Sequence, residues 1–259
     1  FAFAESSARS ALNLAGASEQ GFRVWLPGFL ADATEDGWTI HGEGKDIRLD
    51  LQMPTPEAPL LHGRGGFSAK SEEAGKASYY YSLPNLPIQG TLRIGTQKYA
   101  VQGQAWMDHE FGSGQLGSKQ RGWDWMGLPL GNKAALMVYR LRDSQDPQKD
   151  FISGTYVDPE GKAHSLSRGD IQLIPSQKWK SSRSGGEYPL AWQVKVPTFA
   201  VDLEVKANFP DQELDTRAST QVIYWEGSVT VQGRLDNLET KSLGYLEMTG
   251  YAQGFDQDI

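Results

Sequence analysis

An all-β fold, built as two β-barrels or sandwiches, follows from three observations on this 259-residue chain. Short segments alternate apolar and polar residues along most of its length, which is the spacing of half-buried strands. Glycine is abundant, at 29 residues, and tryptophan and tyrosine are plentiful, a combination suited to strands joined by tight turns. Helical spacing shows in one segment alone. The length accommodates one large β domain or two smaller ones.

The elements follow in order. Residues 5–14 are the helix candidate, with Ala8, Ala11, Leu12 and Ala15 at helical spacing and Gly16 as a stop. Strands are predicted over 21–26, 38–40 and 47–51, and the prolines Pro54, Pro56 and Pro59 end this group. Further strands are predicted over 77–83, 88–94 and 98–106. Residues 112–121 are glycine-rich and polar, and the domain boundary is placed there, giving domains 1–112 and 113–259. The second half continues with strands over 123–129, 133–141, 154–157, 170–174, 190–196, 200–205, 227–231 and 243–251. A polar turn falls at 143–150 and a hairpin turn at Asp158-Pro159-Glu160-Gly161. Val101-Gln102-Gly103-Gln104 and Val231-Gln232-Gly233-Arg234 form a faint internal echo.

Composition excludes several functions. The net charge is −7 and no basic patch is visible, which disfavours nucleic acid. With no cysteine there is no thiol chemistry, disulfide or thiolate metal site. No segment approaches eighteen consecutive apolar residues. Dinucleotide and phosphate loops and a Gly-x-Ser-x-Gly elbow are absent. The histidines have no metal-ligand spacing, so no metal and no cofactor is expected. Gly63, Gly65 and Gly66 mark a bulge or turn.

Acids, a histidine and large aromatics converge in one place, Trp106-Met107-Asp108-His109-Glu110-Phe111-Gly112 followed by Gly122-Trp123-Asp124-Trp125. On an extended chain Trp106, Asp108 and Glu110 share one face, and Met107, His109 and Phe111 share the other. His109 therefore needs a partner from another strand, or is a turn histidine bonded to backbone. Asp108, Glu110 and Asp124 are candidate acids, since a carboxyl group among tryptophan rings is held protonated; otherwise they are solvated turn residues. Trp123 and Trp125 share a face opposite Asp124 and line either a ligand cavity or a core. Tyr139 shares a face with Met137 and Ala135, where its hydroxyl would orient a substrate. Glu247, between Leu246 and Met248, is a candidate inward acid. Tyr79-Tyr80-Tyr81 is read as mainly structural.

Three stretches carry a resemblance: 11–17 leading into Phe22-Arg23-Val24-Trp25, then 103–112 with 122–125, and finally 244–251. Together they resemble the AttH and carotenoid 1,2-hydratase family, its AttH branch above all. The resemblance implies two tandem lipocalin-like β-barrel domains in a periplasmic or secreted protein. It also implies, for the AttH branch, association with an ABC transport system. Family members carry an upstream Glu-Trp-Trp-Tyr stretch that this chain lacks, and the chain opens on Phe1. The expectation is a first barrel incomplete at its N-terminus, with membrane association through an upstream region. The family's histidine and downstream aromatic map onto His109 and Phe111, with Phe111 where the hydratase pattern has tryptophan. That pattern also has an aspartate two residues after a tyrosine. Here Tyr139 is followed by Leu141, and Asp143 is the nearest acid.

The leading functional expectation is an extracytoplasmic protein binding a lipid or other hydrophobic ligand, serving a transporter. The first alternative is a cofactor-independent hydratase or lyase acting on an isoprenoid or lipid double bond. There His109, Asp108, Glu110 or Asp124 would move protons, and Trp106, Phe111, Trp123, Trp125, Tyr139 and Met137 would line the site. The second alternative is a structural adaptor of a transporter.

Overall fold

The computed structural model describes residues 3–56, 58–113, 116–117 and 119–253. The fold is all-β, in two antiparallel sheets. In chain order the strands are β1 (Gly16–Ala17), β2 (Arg23–Leu26), β3 (Phe29–Thr34), β4 (Gly37–Glu43), β5 (Ile47–Met53), β6 (Leu60–Leu61), β7 (Phe67–Ala69), β8 (Ala77–Ile94) and β9 (Gln97–Phe111). They continue with β10 (Gln120–Gly131), β11 (Ala134–Asp143), β12 (Phe151–Val157), β13 (Ala163–Ser167), β14 (Gln172–Lys180), β15 (Glu187–Val196), β16 (Val201–Ala207), β17 (Glu213–Asp215), β18 (Ile223–Leu235) and β19 (Leu238–Thr249).

The first sheet runs β1-β2-β3-β4-β5-β8-β6, with β7 and β9 also paired to β8. The second runs β13-β12-β11-β10-β19-β18-β16-β15-β14, with β17 paired to β18. Among the described residues these pairings close neither sheet into a complete barrel.

The chain divides into two compact units. One comprises Phe1–Pro59, Asn85–Met107 and Ala218–Thr220, and the other Leu60–Pro84, Asp108–Arg217 and Gln221–Ile259. Residues 77–84 of β8 and 108–111 of β9 thus belong to the second unit.

The core of the second unit is formed by alternating positions. Val201, Leu203 and Val205 of β16 are buried between exposed Asp202, Glu204 and Lys206, and they pack with Trp192, Trp225, Val229, Val231, Leu246 and Met248. β11 departs from alternation, with residues 134–139 buried on both faces. One face meets this core, and the other is covered by residues 60–70, whose Ser68 and Ala69 reach the Tyr139 hydroxyl. A strand covered on both sides tolerates an unbroken apolar run.

Two expectations are corrected. Residues 5–14 form no helix. Leu12 and Asn13 have φ of 52° and 60°, and Leu12 is 94% exposed, so its apolar spacing meets no partner. A stretch this short is marginal as an isolated helix, and without a buried face it does not form. Second, 77–83 and 88–94 are one continuous strand despite Pro84 and Pro87. Those prolines fall between the part paired with β6 and β7 and the part paired with β5, so their missing N–H costs none of those three pairings a hydrogen bond.

Candidate functional site

The site in the second unit begins with strand register. Trp125 of β10 lies opposite Tyr139 of β11 on one side and Glu247 of β19 on the other, and Trp123 lies opposite Leu141. Side chains directly across antiparallel strands share a face. Trp123, Trp125, Tyr139, Leu141 and Glu247 accordingly line one wall of a cavity of about 260 Å³. Lys70, Tyr80, Asp108, Glu110 and Leu116 line the remainder. Period-2 alternation puts Asp108 and Glu110 on the same wall.

The aromatic wall is tied to the acids. Trp123 Nε1 donates to Glu247 Oε1 at 2.6 Å, and Trp125 Nε1 donates to the Tyr80 hydroxyl at 2.8 Å. Burial, and then Asp108 and Glu110, push the Tyr80 phenol well above its ordinary value, and Tyr80 also hydrogen-bonds Asp108. Lys70 is 5% exposed, with its ammonium 4.8 Å from the centroid of the Tyr80 ring and 4.4 Å from that of Tyr139. Its Nζ meets Glu110 Oε1 at 2.8 Å, and Ser78 Oγ donates to the same oxygen at 2.6 Å. The cation is thus held by one carboxylate and two ring faces.

Glu247 is the perturbed acid. It lines the cavity and is only partly exposed, and burial is the largest force raising its pKa. Glu226, opposite it on β18, adds to this, Trp123 opposes it, and Asp108 and Glu110 push further up; the result is about 7. A carboxyl group poised there can give or take a proton at neutral pH. Asp108 and Glu110 retain access to solvent, so water reaches the same wall.

Behind Asp108 lies a buried polar chain. Ser82 Oγ donates to Asp108 Oδ1, and His62 Nε2 lies 2.6 Å from Ser82 Oγ. His62 Nδ1 lies 2.8 Å from Thr155 Oγ1. Burial, with a smaller contribution from Lys70, holds the His62 imidazole down at about 3.

The other sequence candidates are placed elsewhere. His109 faces away from Asp108 and Glu110, with its Nδ1 2.9 Å from the Tyr81 hydroxyl and its ring against Phe111. Phe111 is exposed and stacks on Tyr79. Neither lines the cavity, because alternation turns them to the opposite face. Asp124 is likewise opposite Trp123 and Trp125. It is fully buried and bonded to Arg140, Arg142 and the Tyr251 hydroxyl, so it binds two guanidinium groups instead of facing the cavity. Met137 is buried in β11 and Trp106 is half-buried in the first unit; neither is among the cavity-lining residues. Asp143 accepts from the backbone N–H groups of Gln145 and Asp146 and shapes a turn. Leu141 presents an apolar group to the cavity at the position where the hydratase pattern has its acid. Among the described residues no three acids or histidines are grouped to hold a metal ion.

Lys70, Tyr80, His62 and Ser82 were not legible as site residues. The Tyr79-Tyr80-Tyr81 run held one signal, since alternation must turn its middle ring away from the outer two. Lys70 and His62 come from a segment whose only mark is the turn at Gly63, Gly65 and Gly66, all with positive φ.

Comparison with known proteins places this chain in a family. The sequence model of a family described as AttH-like matches residues 1–251. A crystal structure described as a putative AttH, from Nitrosomonas europaea, is 32% identical with a TM-score of 0.84, over 94% of this chain and 75% of that one. Kievitone hydratase from Nectria haematococca has the same fold, with a TM-score of 0.72 at 17% identity over 90% of this chain and 71% of that one. Dehydratase asqC of Emericella nidulans is 23% identical over 215 residues, 81% of this chain. The chain spans about 60% of the length of that curated relative. A family model matched over nearly the whole length, together with a solved AttH structure at this identity, shows that the chain belongs to the AttH-like family.

Proposed function

We propose that the cavity is the active site of a cofactor-independent hydro-lyase that adds water to, or removes it from, a carbon–carbon double bond of a hydrophobic molecule. The observation that carries this is Glu247, a carboxyl group with a pKa of about 7 on a wall of tryptophan rings, facing the same space as Asp108 and Glu110. Two relatives named as a hydratase and a dehydratase support the reaction class. In the hydration direction Glu247 gives its proton to one alkene carbon. The cation left on the other carbon lies against the faces of Trp123 and Trp125. Water adds there and its proton passes to Asp108, and proton return to Glu247 completes the cycle. No redox change occurs, so these steps call for no redox cofactor. The cavity is smaller than the usual range of ligand sites, roughly 300–1,000 Å³. It accommodates the reacting end of an isoprenoid or lipid, and the rest extends beyond it.

Ligand binding in service of an extracytoplasmic ABC transport system uses the same apolar wall but gives a protonated Glu247 no task. The test is incubation of the purified protein with isoprenoid alkenes and alcohols in isotopically labelled water, read by mass spectrometry. The expected result is gain of one labelled water by the alkenes or loss of one water by the alcohols, reduced about 100-fold or more in Glu247→Gln. Full activity in Glu247→Gln removes Glu247 from the mechanism. Recovery of bound but unchanged ligand from the wild type supports the transport-linked reading instead.

A further inference from the structure

His62, Ser82 and Thr155 have no part in the acid–base roles assigned above, yet they are 1%, 0% and 1% exposed and end on the cavity wall at Asp108. We propose that Thr155, His62 and Ser82 form a one-way hydrogen-bond chain that orients Asp108 as the base, making His62 and Ser82 positioning residues. The role rests on the hydro-lyase reading; the direction of the chain does not.

The direction follows from counting protons. A carboxylate only accepts, so the single Ser82 hydroxyl proton points to Asp108. Ser82 Oγ can then only accept from His62, which places the imidazole proton on Nε2. Nδ1 is left with its lone pair and accepts from the Thr155 hydroxyl. The chain runs Thr155 to His62 to Ser82 to Asp108 with every proton assigned. A second chain converges on the same carboxylate: Trp125 donates to the Tyr80 oxygen, so the Tyr80 hydroxyl proton is available for its bond to Asp108. The His62 and Tyr80 rings pack at 4.3 Å between centroids, so each chain braces the other.

A buried histidine satisfied on both nitrogens is often no more than a core residue. Here two features point further. Both chains end on one solvent-accessible carboxylate, and the residues that build them come from β8, β10, β12 and the turn after β6. An imidazole held neutral by burial cannot take the proton that Asp108 collects. The chain therefore fixes the carboxylate's rotamer, as preorganisation of a base requires.

Two measurements test this. Imidazole ¹⁵N NMR of the substrate-free protein at neutral pH should show His62 neutral, with its proton on Nε2. Ser82→Ala, checked for folding by circular dichroism, should lower kcat by about 10-fold or more with KM nearly unchanged, and Ser82→Thr should restore most of it. An Nδ1–H tautomer or an imidazolium in an active enzyme overturns the chain and leaves the hydro-lyase reading intact. Unchanged kcat in folded Ser82→Ala overturns the positioning role. The Nε2–H tautomer in a protein that turns over no isoprenoid defeats the hydro-lyase reading, and the positioning role with it.

Discussion

At the scale of single residues, two carboxyl groups on opposite faces of neighbouring strands have contrasting surroundings, and only Glu247 lines the cavity. Asp124 is surrounded by guanidinium groups, whereas Glu247 has burial and like charges against it. The second arrangement costs stability, with a definite pH dependence. Glu247 sits near 7 in the folded protein against an ordinary 4.5, so folding favours its neutral form. Below about pH 4.5 it is neutral in both states and costs nothing. As pH rises toward 7 the unfolded chain ionises first and stability falls. Above 7 the penalty is complete, at about 3 kcal/mol. Glu247→Gln keeps an acceptor for Trp123 and carries no charge, so urea unfolding should show it more stable than wild type at pH 8 and nearly equal to it at pH 4. Equal differences at both pH values would show that the charge is not what destabilises. His62 contributes with the opposite sign, losing stability as pH falls from 6.5 toward 3, so the comparison with Gln is needed to isolate Glu247.

At the scale of elements, β10 is the strand on which the site depends. Its register shifts between Gln120 and Trp123, where Gly122 adopts φ 149°. A Cβ there would lie 2.5 Å from the Thr249 carbonyl oxygen and 2.8 Å from an Arg142 guanidinium nitrogen. Glycine thus lets β10 close against β19 and brings the Trp123 N–H to Thr249 Oγ1 at 3.1 Å. Gly122→Ala should destabilise the protein by about 1–3 kcal/mol through the strained backbone alone. It should also displace Trp123 from Glu247, seen as a change in tryptophan fluorescence. Wild-type stability in this variant would mean that the bulge relaxes without cost. The alternation of β9 was legible in the sequence and separated Asp108 and Glu110 from His109 correctly. The alternation of β10 likewise separated Trp123 and Trp125 from Asp124. Residues 5–14 have helical spacing but no surface to cover, which is why the spacing does not become a helix.

At the scale of the whole molecule, the two units differ in what holds them. The second has a continuous core that includes fully buried Trp192, Trp225, Leu203 and Leu246. In the first, Leu51, Met53 and Leu86 are buried while β2 and β3 have no buried position. Hydrogen exchange should therefore be slowest in β15, β16 and β18 and fastest in β2 and β3. Uniform protection across both units would contradict this ordering. Among the described residues no helix is long and apolar enough to cross a membrane.

The sequence by itself determined the all-β class, the family, and which residues of each strand share a face, because a two-residue period is a local property of extended chain. It did not determine which face is covered. That depends on strand pairings between residues far apart, such as Trp125 with Glu247, and on residues 60–84, which bring His62, Lys70, Tyr80 and Ser82 to the second sheet. Only the tertiary structure decided that the cavity lies on the Asp108 and Glu110 face of β9 and not on the His109 face. The reason is physical: a carboxyl group's pKa and a histidine's tautomer are set by what surrounds them in space, and those neighbours are distant along the chain, as with Trp123 and Glu247, 124 positions apart.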